Sequence, residues 1–468
     1  MHFRIFSSDT YIQRRSILKN GLESGLILLL GNHETPMNYK DNTYHFRQDS
    51  NFLYYFGLDV PGLAGIIDID EGQEYIFGTD LSIDDIVWTG PQPTILEMAQ
   101  AVGVNHTFDY SQIQSIIQKA LKAGRNIHIL PPYRHDNLIR LAQWLDISIT
   151  EVNLKLSIPL IKKVISQRSI KESCEIAEID QAVKTTAAMH LAAMKYAKPG
   201  MYEYEVVSAV HQVAVNAGGN TSFPIILTTE GQTLHNHYHG NSIKDGQMIL
   251  CDAGAENDMH YAGDMTCTFP VGPRFTSRQK DIYQIVLHTH LKAVEMLRPG
   301  ILYRDIYLQA CRNMFNDLKS LNLTKGDADE AVAVGAHAMF FQCGLGHMMG
   351  LDVHDMEDLG EQYVGYTTTL KKSTQFGIKS LRLARELEPG FVLTVEPGIY
   401  FIPSLIDMWA AEGKFKDFIN YKVLETYKDF SGIRIEEDFL INNDGYRLLG
   451  KSLPKTIDEI EELRSSVL

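Results

Sequence analysis

Two apolar segments that each contain one aspartate place the strongest limits on how this chain can fold. The segments GQMILCDAGAE (246–256) and YAGDMTCTFPV (261–271) are predicted to be β-strands joined by a tight polar loop. Their acidic residues are Asp252 and Asp264. Facing residues on adjacent antiparallel strands lie about 5 Å apart, and two carboxylates at that separation repel each other. The two residues therefore either share a cation, carry a raised pKa, or serve only as turn residues beside glycine.

Two later strands and one histidine supply three more polar groups that can bind metal. Glu396 ends an apolar run in TVEPGIY, and Glu436 lies with Arg434 on the polar face of the alternating strand GIRIEEDF. His347 lies in GLGHMMG, where glycines permit close approach of the backbone. Each has an ordinary structural explanation when taken singly, such as a solvent-facing ion pair between Glu436 and Arg434.

Together these residues form a ligand set for divalent cations. The four carboxylates are those of Asp252, Asp264, Glu396 and Glu436, and two divalent cations would neutralise their charge. Oxygen ligands with a single imidazole, that of His347, favour Mn²⁺, Mg²⁺ or a similar ion over a thiolate zinc site. The sequence predicts a centre with two metal ions if the five residues converge in the fold.

The order of predicted helices and strands indicates two domains. Residues 1–165 alternate short strands such as GLILLLG and EYIFGT with helices such as SQIQSIIQKALKAG, which is an α/β pattern. Residues 166–468 group strands and helices in blocks, which is typical of helices packed on a mostly antiparallel sheet. Apolar periodicity pauses in VISQRSIKESCE, so this segment is the predicted linker.

Charge and composition exclude several classes of protein. A net charge of −15 disfavours a nucleic-acid-binding protein, which needs a basic face. The apolar runs are too short to span a bilayer, and MHFRIFSSDTYIQRR lacks the apolar core of a secretory signal. We therefore expect a cytoplasmic protein without a membrane partner. The five cysteines include no CxxC pair, so reduced thiols are expected rather than a disulfide framework.

The motifs resemble, in type and order, those of proline-specific metallopeptidases of the pita-bread fold, namely aminopeptidase P and prolidase. The resemblance covers about residues 170–450 through Asp252, Asp264, GHMMGLDVHD, TVEPGIY and GIRIEED. The segment YHFRQDSNFLYYFGLDVPGLAGIID is similar to the N-terminal domain of bacterial aminopeptidase P. The resemblance implies an N-terminal α/β domain followed by a C-terminal pita-bread domain, an α+β fold with a curved antiparallel sheet.

The resemblance also implies how two metal ions, usually Mn²⁺, would be shared. Asp252 would bind one ion, Asp264 and Glu436 would bridge both, and His347 and Glu396 would complete the second. Two such cations lower the pKa of a shared water and supply hydroxide for peptide hydrolysis. Glu396 is also expected to carry a proton from this nucleophile towards the leaving nitrogen.

Further roles follow from the same resemblance. His354, seven positions after His347, would stabilise the tetrahedral intermediate. Arg434 would orient ligand carboxylates through charge-assisted hydrogen bonds. The segment TLHNHYHGN should contain one substrate-binding histidine, and both His235 and His237 qualify.

Two positions near these motifs have open assignments. Tyr400 is a candidate substrate contact, with a core position as the equal alternative. Cys343 departs from the family, because many members carry histidine four residues before the ligand histidine. A thiol does not replace a protonated imidazole as a donor. Either that role is dispensable, His235 or His237 covers it, or activity is reduced.

The predicted function is that of an Xaa-Pro aminopeptidase, which releases the N-terminal residue from peptides whose second residue is proline. The Xaa-Pro amide lacks an N–H, so a dedicated pocket is physically reasonable. A prolidase restricted to dipeptides is the first alternative, and a non-catalytic peptide-binding protein on the same fold is the second. The resemblance implies a homodimer or homotetramer. We expect the insertions 361–390 and 403–430 to border the cleft and influence peptide length.

Overall fold

The chain folds into two compact units. The structure, a computed structural model, describes residues 4–468. The first unit ends at Arg168 and also includes Glu357–Tyr363, and the second comprises Ser169–Met356 and Val364–Leu468. The boundary at residues 168 and 169 lies three residues after the predicted division between residues 165 and 166. No sequence pattern predicts that 357–363 belongs with the first unit.

The predicted linker is mostly helical. One helix continues to Ser169 and the next begins at Ser173, so only residues 170–172 of the proposed segment lie between helices. Val164, Ile165 and Arg168 are buried, and this burial extends the first of these helices through the stretch where the apolar pattern weakens.

The first unit is a mixed sheet with helices. Its strands are β1 (Leu26–Leu30), β2 (Ala64–Asp68), β3 (Gln73–Phe77), β4 (His106–Phe108) and β5 (Ile127–His128). The helices that precede the boundary between the two units are α1 (Ser8–Lys19), α2 (Ser50–Phe56), α3 (Ile83–Thr89), α4 (Ile95–Ala101), α5 (Ile113–Lys122), α6 (His135–Leu145), α7 (Ile149–Val152) and α8 (Ile158–Ser169).

Apolar strands in the middle of this sheet explain why it forms. The strand order is β4-β3-β2-β1-β5, with β1 parallel to β5, β3 parallel to β4, and the other pairs antiparallel. Leu28 and Ile66 are buried in one cluster with Ile117 of α5 and Leu141 of α6. The strands and helices predicted from GLILLLG, EYIFGT and SQIQSIIQKALKAG are all found.

The second unit contains the remaining strands and most of the remaining helices. The strands are β6 (Asn220–Thr221), β7 (Ile226–Thr228), β8 (Met248–Ala253), β9 (Ala255–Glu256), β10 (Met265–Pro270), β11 (Val392–Val395), β12 (Gly398–Tyr400), β13 (Gly432–Arg434), β14 (Glu437–Ile441) and β15 (Tyr446–Leu448). The helices after the boundary are α9 (Ser173–Tyr196), α10 (Glu203–Asn216), α11 (Ser277–Glu295), α12 (Tyr303–Asp317), α13 (Ala328–Val334), α14 (Glu361–Val364), α15 (Pro403–Ala411), α16 (Tyr421–Leu424) and α17 (Ile457–Val467).

Antiparallel ladders connect these strands, as the sequence predicts. They are β10-β8-β7, β11-β14-β15, β12-β13 and β6-β9. Single antiparallel bridges, Thr266 with Glu436 and Met348 with Leu393, join the ladders and the loop around residue 348. Segments far apart in the sequence are thereby brought side by side. Within residues 4–468, no helix combines the length and the apolar character needed to cross a membrane.

The C-terminal helix α17 is held by a buried guanidinium. Arg464 donates hydrogen bonds to the carbonyl oxygens of Met194, Ala197 and Val271, with 2.8 Å between Nη2 and the oxygen of Ala197. Burial lowers the pKa of Arg464 to about 10, so the group remains protonated at neutral pH. The contacts tie α17 to the end of α9 and the end of β10.

Replacing this guanidinium should destabilise the protein. Arg464→Met would leave three buried carbonyls without their donor, so we expect the free energy of unfolding to fall by about 3 kcal/mol. Arg447→Met is the matched control, because Arg447 pairs with Asp180 at the surface, where ion pairs contribute about 0–1 kcal/mol. Denaturant unfolding of both variants tests this, and equal losses would contradict it.

Candidate metal centre

The five predicted metal ligands line one cavity of the second unit. The cavity has a volume of about 280 Å³, and its wall includes Asp252, Asp264, His347, Glu396 and Glu436. Ligand atoms of Asp264, His347 and Glu436 all lie within 4.8 Å of one another. Asp264 and Glu436, which are 172 positions apart in the sequence, are thus brought together at a distance suited to a shared cation.

Strand β10 aligns two of the carboxylates through Thr266. This residue pairs with Asp252 on β8, and on its other side the amide of Glu436 donates to its carbonyl at 3.0 Å. Asp264 immediately precedes β10. Asp252 therefore faces Thr266 across the hairpin, and Asp264 lies two residues before that pairing position.

His347 is oriented by its own loop. Its Nδ1 lies 3.0 Å from the carbonyl oxygen of Met348, an acceptor, so Nδ1 carries the proton and Nε2 presents a lone pair. Nε2 points towards the carboxylates, at 3.3 Å from Asp264 Oδ2 and 3.8 Å from Glu396 Oε1. This tautomer is the one a metal ligand requires.

Gly346 allows the histidine loop to approach β11 closely. A Cβ at this position would overlap the carbonyl oxygen of Thr394 and the hydroxyl of Tyr303. The amide of Thr394 donates to the carbonyl of His347 at 3.1 Å, and Tyr303 donates to the carbonyl of Thr394 at 2.7 Å. The absence of a side chain at residue 346 is therefore needed for the observed position of His347.

Arg434 connects several of the acidic groups. Its guanidinium donates to a carboxylate oxygen of Asp252, to Thr266 Oγ1 at 3.0 Å and to the hydroxyl of Tyr400 at 2.9 Å. Thr266 Oγ1 in turn donates to Glu436 Oε2 at 2.7 Å. One buried cation thus fixes the orientation of two predicted ligands, which is the geometry expected for its ligand-orienting role.

The placement of Tyr400 differs from its expected role as a substrate contact. Its side chain is 0% exposed and is absent from the cavity wall. The hydroxyl accepts from Arg434, and the Sγ of Cys343 lies 3.9 Å from it. The equal alternative, a core tyrosine, describes it better, because strand β12 directs it behind Arg434.

Burial and mutual repulsion destabilise the charged form of the acidic groups in the cavity, and a bound cation would offset this effect. Burial and the charge of Asp252 raise the pKa of Asp264 to about 8, and burial raises the pKa of Glu396 to about 7. Burial and the charge of Asp264 also raise the pKa of Glu436. Among the described residues, nothing hydrogen-bonds to Asp252 Oδ1 or Asp264 Oδ1. Buried oxygens with free lone pairs fit the predicted divalent cations.

The predicted catalytic and substrate-binding histidines also line the cavity. His235, His237 and His354 all contribute to its wall, and the rings of His354 and His347 have centroids 4.1 Å apart. Burial and the charge of Arg434 lower the pKa of His235. Because His235 and His237 both reach the cavity, the structure leaves both as candidates.

Cys343 lies in the cavity wall as a neutral thiol. Burial and the charge of Glu396 raise the pKa of its thiol to about 12. A thiol with so high a pKa is a poor nucleophile. Cys343 is therefore not a candidate nucleophile in this cavity.

Sequence reasoning missed three residues of the site. Arg382 lines the cavity from within the insertion 361–390. Thr266 links Arg434 to Glu436, and Asp438 accepts a hydrogen bond from the amide of Asp264 at 3.0 Å. The position of Asp438 on the polar face of GIRIEEDF was a usable signal, whereas Thr266 and Arg382 depend on register and loop conformation.

The buried carboxylates, the imidazole and the flanking histidines define a metal-dependent hydrolase. Residues 177–443 match the model of metallopeptidase family M24, and residues 11–129 match the aminopeptidase P N-terminal domain. The chain belongs to metallopeptidase family M24. The expected N-terminal α/β domain and C-terminal pita-bread domain are confirmed by these matches.

Curated relatives and solved structures agree with this family. The chain is 32% identical to an Xaa-Pro dipeptidase of Rattus norvegicus, over 95% of this chain and 90% of that protein. It is 30% identical to an Xaa-Pro aminopeptidase of Escherichia coli, over 98% of each. A low-pH structure of E. coli aminopeptidase P has a TM-score of 0.80 at 28% identity, covering 99% of both chains. A zinc-substituted form in complex with product also has a TM-score of 0.80 at 28% identity, covering 99% of this chain and 100% of that one.

The raised carboxyl pKa values predict a pH dependence of stability. Asp264 and Glu396 have ordinary values of 3.8 and 4.5 and native values of about 8 and about 7. The native state then binds more protons than the unfolded state across this interval, so the stability of metal-free protein should fall as pH rises from about 4 to 8. Metal competes with these protons, so added Mn²⁺ should raise the Tm more at pH 8 than at pH 5.5.

Thermal unfolding with and without Mn²⁺ at the two pH values measures this effect. Asp264→Asn removes one of the titrating carboxyls and should reduce both the pH slope of the metal-free protein and the Mn²⁺ shift. A Mn²⁺ shift of equal size at both pH values would contradict the prediction.

Proposed function

We propose that this protein is a metal-dependent exopeptidase that hydrolyses the bond between an N-terminal residue and a following proline. The convergence of Asp252, Asp264, His347, Glu396 and Glu436 on one cavity carries this proposal. The names of its relatives, Xaa-Pro aminopeptidase and Xaa-Pro dipeptidase, support the proline specificity. The first candidate for this activity is that of an Xaa-Pro aminopeptidase, which releases the N-terminal residue from longer peptides.

The proposed cofactor is a pair of divalent cations, with Mn²⁺ as the proposed ion. When bound, the cations polarise the scissile carbonyl and lower the pKa of water. Asp252 would hold one ion, Asp264 and Glu436 both, and His347 Nε2 with Glu396 the second. The oxygens of Asp252 and Asp264 that lack protein partners within residues 4–468 support this assignment.

Proton transfer at the scissile bond is assigned to Glu396. The nitrogen of an Xaa-Pro amide carries no hydrogen, and it must gain a proton to leave as the amine of proline. Glu396 lies in the cavity wall with Oε1 3.8 Å from His347 Nε2, so its carboxylate is placed beside the position where the attacking water would be held. Glu396 would accept the proton of the attacking water and then deliver it to the prolyl nitrogen.

The histidines and the apolar wall are proposed to place the peptide. His354 would donate to the carbonyl oxygen as negative charge develops there. His235 or His237 would bind the substrate from the opposite loop. The apolar part of the wall, which would receive the proline ring, consists of Phe223, Pro224, Ile226, Leu234 and Val353.

Purified protein, stripped with a chelator and reloaded with Mn²⁺, tests the function. We expect hydrolysis of Ala-Pro-Ala or Ala-Pro but not of Ala-Ala-Ala, and at least a 100-fold loss of kcat in Glu396→Gln, because proton transfer contributes 10²–10⁴-fold. Glu388→Gln, at a carboxylate that pairs with Arg385 near the surface, is the matched control. A wild-type protein that neither binds metal nor cleaves these peptides would favour the non-catalytic peptide-binding alternative.

A second candidate, restriction to dipeptides, is favoured by Arg382. Its side chain adds a second guanidinium to a cavity of about 280 Å³. A cation in so small a cavity suits the free carboxylate that a dipeptide carries on its proline, since charge-assisted pairs with carboxylates are strong. The insertion 361–390 would in this way influence peptide length, as proposed from its sequence.

Removal of the Arg382 charge should separate the two candidates. If Arg382 binds the prolyl carboxylate, Arg382→Met should raise KM for Ala-Pro by about 10–100-fold, since hydrogen bonds to charged groups contribute about 1.5–3 kcal/mol. The same substitution should leave the KM for Ala-Pro-amide unchanged, because that substrate lacks the carboxylate. Arg385→Met is the control. Faster cleavage of Ala-Pro-Ala than of Ala-Pro by the wild type, with no KM change in the variant, would support the aminopeptidase instead.

Three expectations from the sequence stay predictions. These are a cytoplasmic location, assembly as a homodimer or homotetramer, and the lack of a nucleic-acid partner. The net charge of −15 supports the last of them.

A further inference from the structure

A buried ion pair lies next to the candidate site but outside the ligand set. Lys171 Nζ is 2.9 Å from Asp355 Oδ2, and each side chain is 1% exposed. Asp355 directly follows His354 in the sequence. None of the roles assigned so far to the cavity residues uses this pair.

Stability is a weak explanation for such a pair, because burial removes both charges from water. The desolvation cost often exceeds the attraction, and well-packed apolar residues of similar size are commonly as stable or more stable. Removing only one member is strongly destabilising, since the other charge is then left buried. An explanation for the pair must therefore include the neighbouring segments that the pair holds in place.

The carboxylate of Asp355 organises the loop that contains His354. The amide of Asp352 lies 3.3 Å from Asp355 Oδ1, and the amide of Asp355 donates to the carbonyl of Met348 at 2.9 Å. A Cβ at Gly350 would lie 2.7 Å from Asp355 Oδ2 and 2.8 Å from Lys171 Cε. The loop thus closes tightly around the ion pair.

The other member of the pair is anchored to the sheet. The amide of Lys171 donates to the carbonyl of Gly390 at 2.9 Å, and the amide of Gly390 donates to the carbonyl of Ile441, at the end of β14, at 2.8 Å. The backbone of Lys171 is therefore held at the end of β14, the strand that follows Glu436 and pairs with β11, which precedes Glu396. The ion pair transmits that position to the residue beside His354.

We propose that the Lys171–Asp355 ion pair is a positioning device that holds the imidazole of His354 against that of His347. The two ring centroids are 4.1 Å apart on the cavity wall. Lys171 and Asp355 touch no substrate in this role and act only through His354. The effect on turnover rests on the proposed peptidase function, whereas the effect on the position of His354 does not.

The charge-free variant Lys171→Met/Asp355→Leu tests the proposal while keeping the volume filled. We expect its Tm to stay within a few degrees of the wild-type value. We expect kcat for the better of Ala-Pro and Ala-Pro-Ala to fall at least tenfold, with KM within twofold. In a His354→Ala background the same double change should cause no further loss of kcat, because residues that act through one another are not additive.

An NMR measurement on metal-free protein gives a readout that is independent of activity. The histidine Cε1–Hε1 signal that disappears in His354→Ala identifies His354. We expect this signal to shift or broaden in Lys171→Met/Asp355→Leu. Glu74→Gln is the matched control, since it removes the carboxylate that pairs with the buried Arg15 at 2.6 Å in the first unit, and it should leave the His354 signal unchanged.

The outcomes separate the positioning role from the peptidase function. Wild-type kcat and an unshifted His354 signal in the charge-free variant would overturn the proposal, and so would an equal signal change in Glu74→Gln. If the wild type cleaves no Xaa-Pro peptide, the proposed function fails, and the NMR comparison alone decides whether the ion pair positions His354.

Discussion

Like charges in a buried cavity are the constraint on which the second unit depends. Asp252, Asp264, Glu396 and Glu436 meet where water is largely excluded, and their mutual repulsion adds to the cost of burial, as the raised pKa values of the last three show. Arg434 offsets part of this charge, and protons or metal cations must offset the rest. A cavity of this kind is therefore unfavourable for folding at neutral pH unless a cation binds, which couples its stability to its cofactor.

Backbone pairing makes that arrangement reproducible. Thr266 pairs with Asp252 on one side and Glu436 on the other, and Arg434 and Thr266 hydrogen-bond to those carboxylates. The histidine loop reaches the same place because Gly346 permits contact with β11. The ligand positions are thus set by sheet register, which tolerates little displacement, since a slip of one residue would turn each side chain to the opposite face.

The sequence predicts the placement of side chains where the spacing of apolar residues and the residue types indicate the same structure. It does not predict contacts that depend on the conformation of a loop. Alternation in GIRIEEDF correctly places Arg434 and Glu436 on one face, and the glycines around His347 correctly indicate close packing.

Alternation cannot specify register, so Thr266 rather than Asp264 proves to be the partner of Asp252. Burial behind Arg434 removes Tyr400 from the cavity, and Arg382 reaches it from an insertion without periodicity. The weak apolar periodicity at 164–175 predicts a linker, but most of this segment is helical, because α8 continues while its side chains are buried up to Arg168.

The groups that would bind metal and those that would select a peptide come from different kinds of structure. Asp252 and Arg434 lie on strands, and Asp264 and Glu436 lie at strand ends, whereas His235, His237, His354 and Arg382 all lie on loops. Loops on a rigid scaffold can change without disturbing the strands beneath them. The same donor set can therefore serve a dipeptidase or an aminopeptidase, which accounts for relatives with both names at nearly equal identity. Under the proposed function, substrate length would be decided by a few loop side chains such as Arg382, while the metal-binding groups held by the sheet would decide which bond is cleaved.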